Sequence, residues 1–221
     1  MRWLEGALQV QGRAEEAGIN VSVLIATYGT EDWRELAYSR AYPSAATQGA
    51  CEPPLVFHDP DGTIASVRNE VARQAKGDWL CFLDADDELA PGYLDAMAQV
   101  GGENVLLTPA VQYVRRGRPA KPQFNDRGIP LSRDNWLVVG TLLRRSLFER
   151  VGGFGDYPHG FEDWSLWYKC EKAGARIVKV PKAVYICHVN PQSKHKQGWR
   201  NRRWQVETHQ RVERELAAWQ P

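Results

Sequence analysis

From Val21 the chain runs Val-Ser-Val-Leu-Ile-Ala-Thr-Tyr into Gly29, a continuous apolar and β-branched stretch of the kind a strand buried on both faces requires. A helical stretch follows over about residues 31 to 50, and a second short run, Leu55-Val56-Phe57, ends at His58-Asp59 before the turn signal Pro60-Asp61-Gly62. From Thr63 to Lys76 the apolar positions Ile64, Val67, Val71 and Ala75 recur at helical spacing, with Gly77 expected as the C-cap. Trp79-Leu80-Cys81-Phe82-Leu83 is a third buried strand, closed by Asp84-Ala85-Asp86-Asp87-Glu88. Strand and helix alternating through short connections predict an α/β fold, a parallel sheet covered by helices. Ligands in such sheets bind outside the carboxyl ends of the strands. Here three of those ends carry polar groups: Thr27-Tyr28, His58-Asp59 and the acidic run 84–88.

The second half is less regular. Val105 to Val114 reads as a strand, and residues 115 to 135, rich in Arg, Lys, Pro, Gly and Asn, as a long loop of the kind that often carries function. Leu142 to Val151 reads as a helix broken by Gly152-Gly153-Phe154-Gly155. A further helix begins near Asp163, uses Leu166, Cys170 and Ala173 as one face, and stops at Gly174. Ile177–Val180 and Val184–His188 are expected as short strands, and 203–219 as an amphipathic or partner-seeking helix. Residues 1–20 are expected to form a packing arm, with Trp3, Leu4, Ala7 and Leu8 on one face.

Composition narrows the class. The 221 residues include 28 Lys+Arg against 27 Asp+Glu, a net charge of +1, with 43% apolar residues. This is ordinary globular composition and excludes a uniformly basic nucleic-acid or membrane binder. The four cysteines form no C-x-x-C pair, which excludes a zinc ribbon and points to a reduced, intracellular chain. No apolar stretch reaches the ~20 residues of a membrane span, and the first residues lack a secretory apolar region, so a cytoplasmic protein is expected.

Asp84, Asp86 and Asp87, with Glu88 beside them, repel one another unless a counter-charge is present. Side chains alternate along a strand, so Asp84 and Asp86 should face one side and offer oxygens to a hard cation, Mg²⁺ or Mn²⁺, that keeps positions open for phosphates. A solvated acidic turn is the bland alternative. An EF-hand is excluded, because Leu89 stands where the calcium loop needs Gly.

Ser66-Val67-Arg68-Asn69-Glu70, Ala75-Lys76-Gly77-Asp78-Trp79-Leu80 and Phe82-Leu83-Asp84-Ala85-Asp86-Asp87 resemble the nucleotide-sugar-binding half of family 2 glycosyltransferases of the GT-A fold. Val21 to Tyr28 resembles that family's first strand. Val151-Gly152-Gly153-Phe154 and Gly160-Phe161-Glu162-Asp163-Trp164-Ser165-Leu166-Trp167 resemble its acceptor-side motif. The resemblance covers about residues 20 to 190, in order, and implies a single-domain GT-A fold: a mixed, mostly parallel sheet flanked by helices. It implies a nucleotide-sugar-binding half at 21–110, an acceptor-binding half at 111–190, and a basic tail or helix at 191–221.

The resemblance further implies an inverting, metal-dependent transfer of a sugar from a nucleoside-diphosphate sugar to an acceptor hydroxyl. It places Thr27, Tyr28, Asp59, Arg68, Asp84 and Ala85 at the nucleotide sugar, and Asp86 on Mn²⁺ or Mg²⁺ with His188 as a further ligand. Asp163 becomes the catalytic base, with Glu162, Trp164, Trp136 and His159 toward the acceptor. A helix N-cap is the competing reading for Asp163 and Glu162, and core packing for Trp164 and Trp167. The order His58-Asp59-Pro60-Asp61 departs from the paired acids common in the family, which leaves the base of the nucleotide open. The acceptor, whether glycan, lipid carrier, protein or modified DNA, is open too. Basic runs at 115–127 and 194–203 suit a lid over a diphosphate or a dock for an anionic acceptor, although such runs are usually solvated faces. The rivals are a nucleotidyltransferase and a non-catalytic sugar- or nucleic-acid-binding module.

Overall fold

The computed structural model describes residues 19–126, 128–157, 160–189 and 202–220. The expected packing arm, His159, Arg127 and the stretch 194–201 therefore lie outside the described residues.

The first half follows its hydrophobic pattern closely. β1 (Val21–Tyr28) lies between β2 (Leu55–Asp59) and β3 (Trp79–Leu83), parallel to both. All five residues of β3 are buried, as an uninterrupted apolar run demands. Between β1 and β2 come α1 (Asp32–Leu36), a π-helical turn (Ala37–Ala41) and α2 (Tyr42–Ala46). α3 (Ile64–Gln74) opens on a reciprocal capping box, in which Thr63 Oγ1 accepts the Ser66 N–H and Ser66 Oγ accepts the Thr63 N–H. Gly77 is not the C-cap of α3, a position that Ala75 takes in extended conformation. The reason for a glycine at 77 is close approach: a Cβ there would stand 2.5 Å from the Ser22 backbone nitrogen.

The sheet continues through β4 (Glu88–Leu89), β5 (Val105–Arg115), β6 (Arg118–Pro119), β7 (Leu142–Arg144) and β8 (Arg176–His188) in the spatial order β2-β1-β3-β7-β5-β8-β4, with β6 pairing β5. It is mixed. The longest pairings are parallel, β5 with β8 above all, while β7 runs antiparallel between β3 and β5. Leu142–Arg144, expected as the start of a helix, is thus a strand, and the helix α5 occupies only Arg145–Arg150. Three residues, two of them leucine, carry no period of their own, and the gap between β3 and β5 decides their conformation. Ile177–Val180 and Val184–His188 form one strand, kept continuous across Pro181 by a register shift opposite Pro109/Ala110.

α4 (Tyr93–Ala98) and α6 (Glu162–Lys172) complete the layers, and α7 (Arg202–Ala218) packs on α6. Val212 and Leu216 of α7 join Tyr157 and Trp164 in a small second core. Lys172 Nζ donates to the carbonyls of Leu216 and Trp219 at the end of α7, at 2.6 and 2.9 Å, which satisfies acceptors the helix leaves over. The amphipathic helix expected near 203–219 therefore has its apolar partner within the chain. Among the described residues, no helix is long and apolar enough to cross a membrane.

Candidate active site

The carboxyl ends of β1, β2 and β3 lie side by side, with Thr27 registered against His58 and Tyr28 against Asp59. Thr27 is buried and its hydroxyl is 2.9 Å from His58 Nδ1, which pins the two strand ends together. Asp59 shapes the next turn by accepting the Asp61 N–H on its side chain. Tyr28 is partly buried against the main core.

Beyond β3, exposure alternates along the acidic run. Asp84, Asp86 and Glu88 are partly exposed, while Ala85, Asp87 and Leu89 are buried. Asp84 and Asp86 thus share a side, as expected. Asp87 points the other way, where its carboxylate accepts the His188 N–H at 2.8 Å and a hydrogen bond from the Tyr185 hydroxyl. Burial, with Asp84 and Asp86 close by, pushes its pKa well above the usual carboxylate range. The Asp84 backbone N–H donates to the same Tyr185 oxygen, so β8 holds the acidic turn from beneath. His188 Nε2 lies 2.5 Å from Glu88 Oε2, the carboxylate–imidazole pairing that orients metal-binding histidines.

Asp86 and His188 line an open cleft of about 370 Å³ with Arg40 and Arg116. Arg40 belongs to the π-helical turn, and its guanidinium donates to the Asp86 carbonyl at 3.0 Å. Among the described residues, no three His, Cys, Asp or Glu side chains form a closed metal cage. A cation that binds through one or two carboxylates and completes its shell with water and phosphate does not need one, so the donors present fit Mg²⁺ or Mn²⁺.

Arg68 joins the two halves of the site. It stands on the buried face of α3, with a side chain 6% exposed. One guanidinium nitrogen donates to Asp84 Oδ1 and another to Glu162 Oε1, each at 2.7 Å. The Phe154 ring lies 5.2 Å from the guanidinium carbon. The Gly-Gly-Phe turn delivers that ring. Asn69 of α3 both donates to the Phe154 carbonyl and accepts its N–H, and a Cβ on Gly153 would come within 2.6 Å of the Asn69 oxygen. Burial alone would lower the Arg68 pKa, but Asp84, Glu162 and Asp163 more than offset it and hold the guanidinium firmly charged.

Asp163 is the second residue of α6. The N-cap is neither Asp163 nor Glu162 but Phe161, in the left-handed region at φ 71° and without a side-chain cap. A bulky residue there is strained, and strain of this kind gathers at functional sites. The Asp163 carboxyl accepts the Trp164 N–H at 2.7 Å and the Asn135 side-chain amide at 2.8 Å. Burial first, then Glu162, raise its pKa to about 7 against the pull of Arg68. The residue keeps partial solvent access. A carboxyl poised near neutrality with partial solvent access can take up a proton from a bound hydroxyl.

The tryptophans divide. Trp164 is 1% exposed, its indole N–H on the Leu131 carbonyl and its ring against His209 of α7, so an acceptor sugar has no described face to stack on. Trp167 is buried in the main core. Trp136 is partly exposed beneath Lys179, whose ammonium lies 5.6 Å from the ring. Arg40, Asn135 and Tyr185 escaped sequence reasoning. Arg40 and Tyr185 sit in ordinary helix and strand patterns, and Asn135 in a stretch without any pattern.

The comparisons agree with this architecture. A Bacillus subtilis protein described as uncharacterized glycosyltransferase EpsJ is 23% identical over 156 residues, 62% of this chain and 45% of its own. The chain spans about half the length of the curated relatives it matches. Staphylococcus aureus TarS (residues 1–349, in complex with UDP-GlcNAc) superposes with a TM-score of 0.57 at 19% identity, over 80% of this chain and 60% of that one. Pyrobaculum calidifontis mannosyltransferase PcManGT, in complex with GDP-Man and Mn²⁺, gives 0.53 at 22% identity, over 88% and 64%. Both likenesses establish a GT-A architecture. Residues 55–207 match the family model described as Glycosyltransferase like family 2, and the chain belongs to that family.

Proposed function

We propose that the protein transfers a sugar with inversion from a nucleoside-diphosphate sugar to an acceptor hydroxyl, assisted by Mn²⁺ or Mg²⁺. One observation carries the reading. Arg68 ties Asp84, at the end of β3, to Glu162 at the start of α6, so the cation-facing acids and the near-neutral carboxyl of Asp163 belong to one site. On this reading residues 21–110 hold the nucleotide sugar and 111–190 the acceptor. Thr27, Tyr28, Asp59, Arg68, Asp84 and Ala85 surround the nucleotide sugar. Asp86 would hold the cation, with His188 as a second ligand, and the cation would offset charge on the departing diphosphate.

Asp163 accepts the acceptor's proton as its oxygen attacks the anomeric carbon from the face opposite the leaving group. Glu162 keeps Arg68 in place between the two acids. Arg40, hydrogen-bonded to the Asp86 carbonyl, and Arg116, which lines the same cleft, add positive charge where a diphosphate would lie. Trp136 remains available to an acceptor, whereas Trp164 does not.

The test is a panel of nucleotide sugars with Mn²⁺, headed by UDP-GlcNAc and GDP-mannose, the donors bound by the two structural neighbours. Donor hydrolysis, and a thermal shift with the matching nucleoside diphosphate, are expected for one base. No hydrolysis and no shift with any would favour a binding module, and release of pyrophosphate from a nucleoside triphosphate plus a sugar phosphate would favour a nucleotidyltransferase.

A further inference from the structure

The loop before β7 approaches Asp163 with its own chemistry. Asn135 Nδ2 donates to Asp163 Oδ2 at 2.8 Å, while its Oδ1 accepts the Leu137 N–H at 3.1 Å. The second contact decides the orientation of the amide, since only the oxygen can accept a backbone N–H and the nitrogen must then face the carboxyl. The loop itself is fastened from α6 and from α7. The Trp164 indole N–H donates to the Leu131 carbonyl, and His209 Nε2 lies 3.4 Å from the Arg133 carbonyl. Asn135 is therefore a fixed donor.

From this geometry we propose that Asn135 is the positioning residue for the base, fixing the plane of the Asp163 carboxyl and favouring its ionised form. The inference rests on the transferase reading for its catalytic meaning but not for its physics. Asp163 can rotate about two side-chain bonds. The Trp164 N–H engages Oδ1 and Asn135 engages Oδ2, so both oxygens are held and the carboxyl plane is set. A donor to the charged form also lowers a carboxyl pKa. The groups acting against it are burial and the neighbouring Glu162 and Asp84, with Arg68 acting on its side. Without Asn135 the balance tips toward a proton that Asp163 would hold at working pH, and a protonated carboxyl cannot act as a base.

Two variants separate this role from a structural one. Asn135→Asp keeps the oxygen that Leu137 needs and replaces the donor with an acceptor, whereas Asn135→Ala removes both contacts. In protein carrying ¹³Cγ-labelled aspartate, the Asp163 titration is followed by NMR, with Asp163→Asn identifying the resonance. The expected result is an upward shift of about one unit or more in both variants, larger in Asn135→Asp. The acid limb of kcat should follow, so that activity falls about fivefold at pH 7 and recovers near pH 9. A titration and acid limb in Asn135→Asp that match wild type would overturn the proposal, because only the turn would then matter. The NMR arm reads the contact whether or not sugar is transferred. A shifted titration in a protein that hydrolyses no donor would sink the transferase reading and leave the Asn135 contact standing.

Discussion

Asp163 concentrates the opposing demands on the site. Between pH 4 and 7 the folded chain holds a proton on this carboxyl that the unfolded chain releases, so its contribution makes stability fall as pH rises through that window. Asp163→Asn should therefore stabilise the protein at pH 8 by about 1–2 kcal/mol, after discounting for solvent access, and change little at pH 4. The same substitution should lower kcat about 10²–10⁴-fold. Chemical denaturation at the two pH values and steady-state kinetics check both halves. Arg68 makes the opposite case. Arg68→Met leaves Asp84 and Glu162 facing each other without a counter-charge, and should cost about 3–5 kcal/mol by urea denaturation. Arg68→Lys should recover only part of that, since one ammonium cannot reach two carboxylates as a guanidinium fork does.

Elements explain which residues were legible beforehand. Asp84 and Asp86 stood out because they follow an apolar strand whose type the pattern settles, whereas Asp163 was singled out by the family resemblance and the pattern alone offered a helix start. Arg40 was invisible, because its contact with the Asp86 carbonyl depends on how a helix lies against a strand end 46 residues away. Asn135 was hidden for another reason: its loop owes its course to hydrogen bonds from Trp164 and His209, and to no period of its own. The Leu142–Arg144 strand was missed because three residues respond to their neighbours in space. α7 shows the same dependence on a larger scale. Leu216→Ala, which empties a fully buried contact in the small core over α6, should cost about 2–4 kcal/mol. If α7 steadies the α6 start, amide exchange near Trp164 should quicken in that variant well before global unfolding.

At the scale of the whole molecule, the parallel strands β2-β1-β3 were readable from alternation of strand and helix and the mixed character of the sheet from the family resemblance, while the place of the antiparallel β7 was not. Net charge is equally silent on layout, since a sum of +1 conceals that Asp86, from the acidic run 84–88, shares a cleft with Arg40 and Arg116. That layout predicts ligand-linked stability. A matching nucleoside diphosphate at a hundred times its Kd, with Mn²⁺ present, should stabilise the fold by about 2.7 kcal/mol, visible as a rise in Tm. Asp86→Asn should abolish the part of the rise that needs Mn²⁺, while Asp163→Asn should leave it intact.

The Arg68 bridge makes these two halves answer to each other. A guanidinium shared by two acids is a fixed quantity of charge, and whatever draws it toward one loosens its hold on the other. A ligand charge that settles beside Asp84 must therefore alter the proton affinity of Asp163, the residue next to Arg68's second partner, Glu162. Reciprocity then requires that the protonation of Asp163 alter the affinity for that ligand by the same factor. Donor affinity measured against pH should carry an inflection near neutrality that belongs to a residue the donor never touches, and Asp163→Asn should erase it.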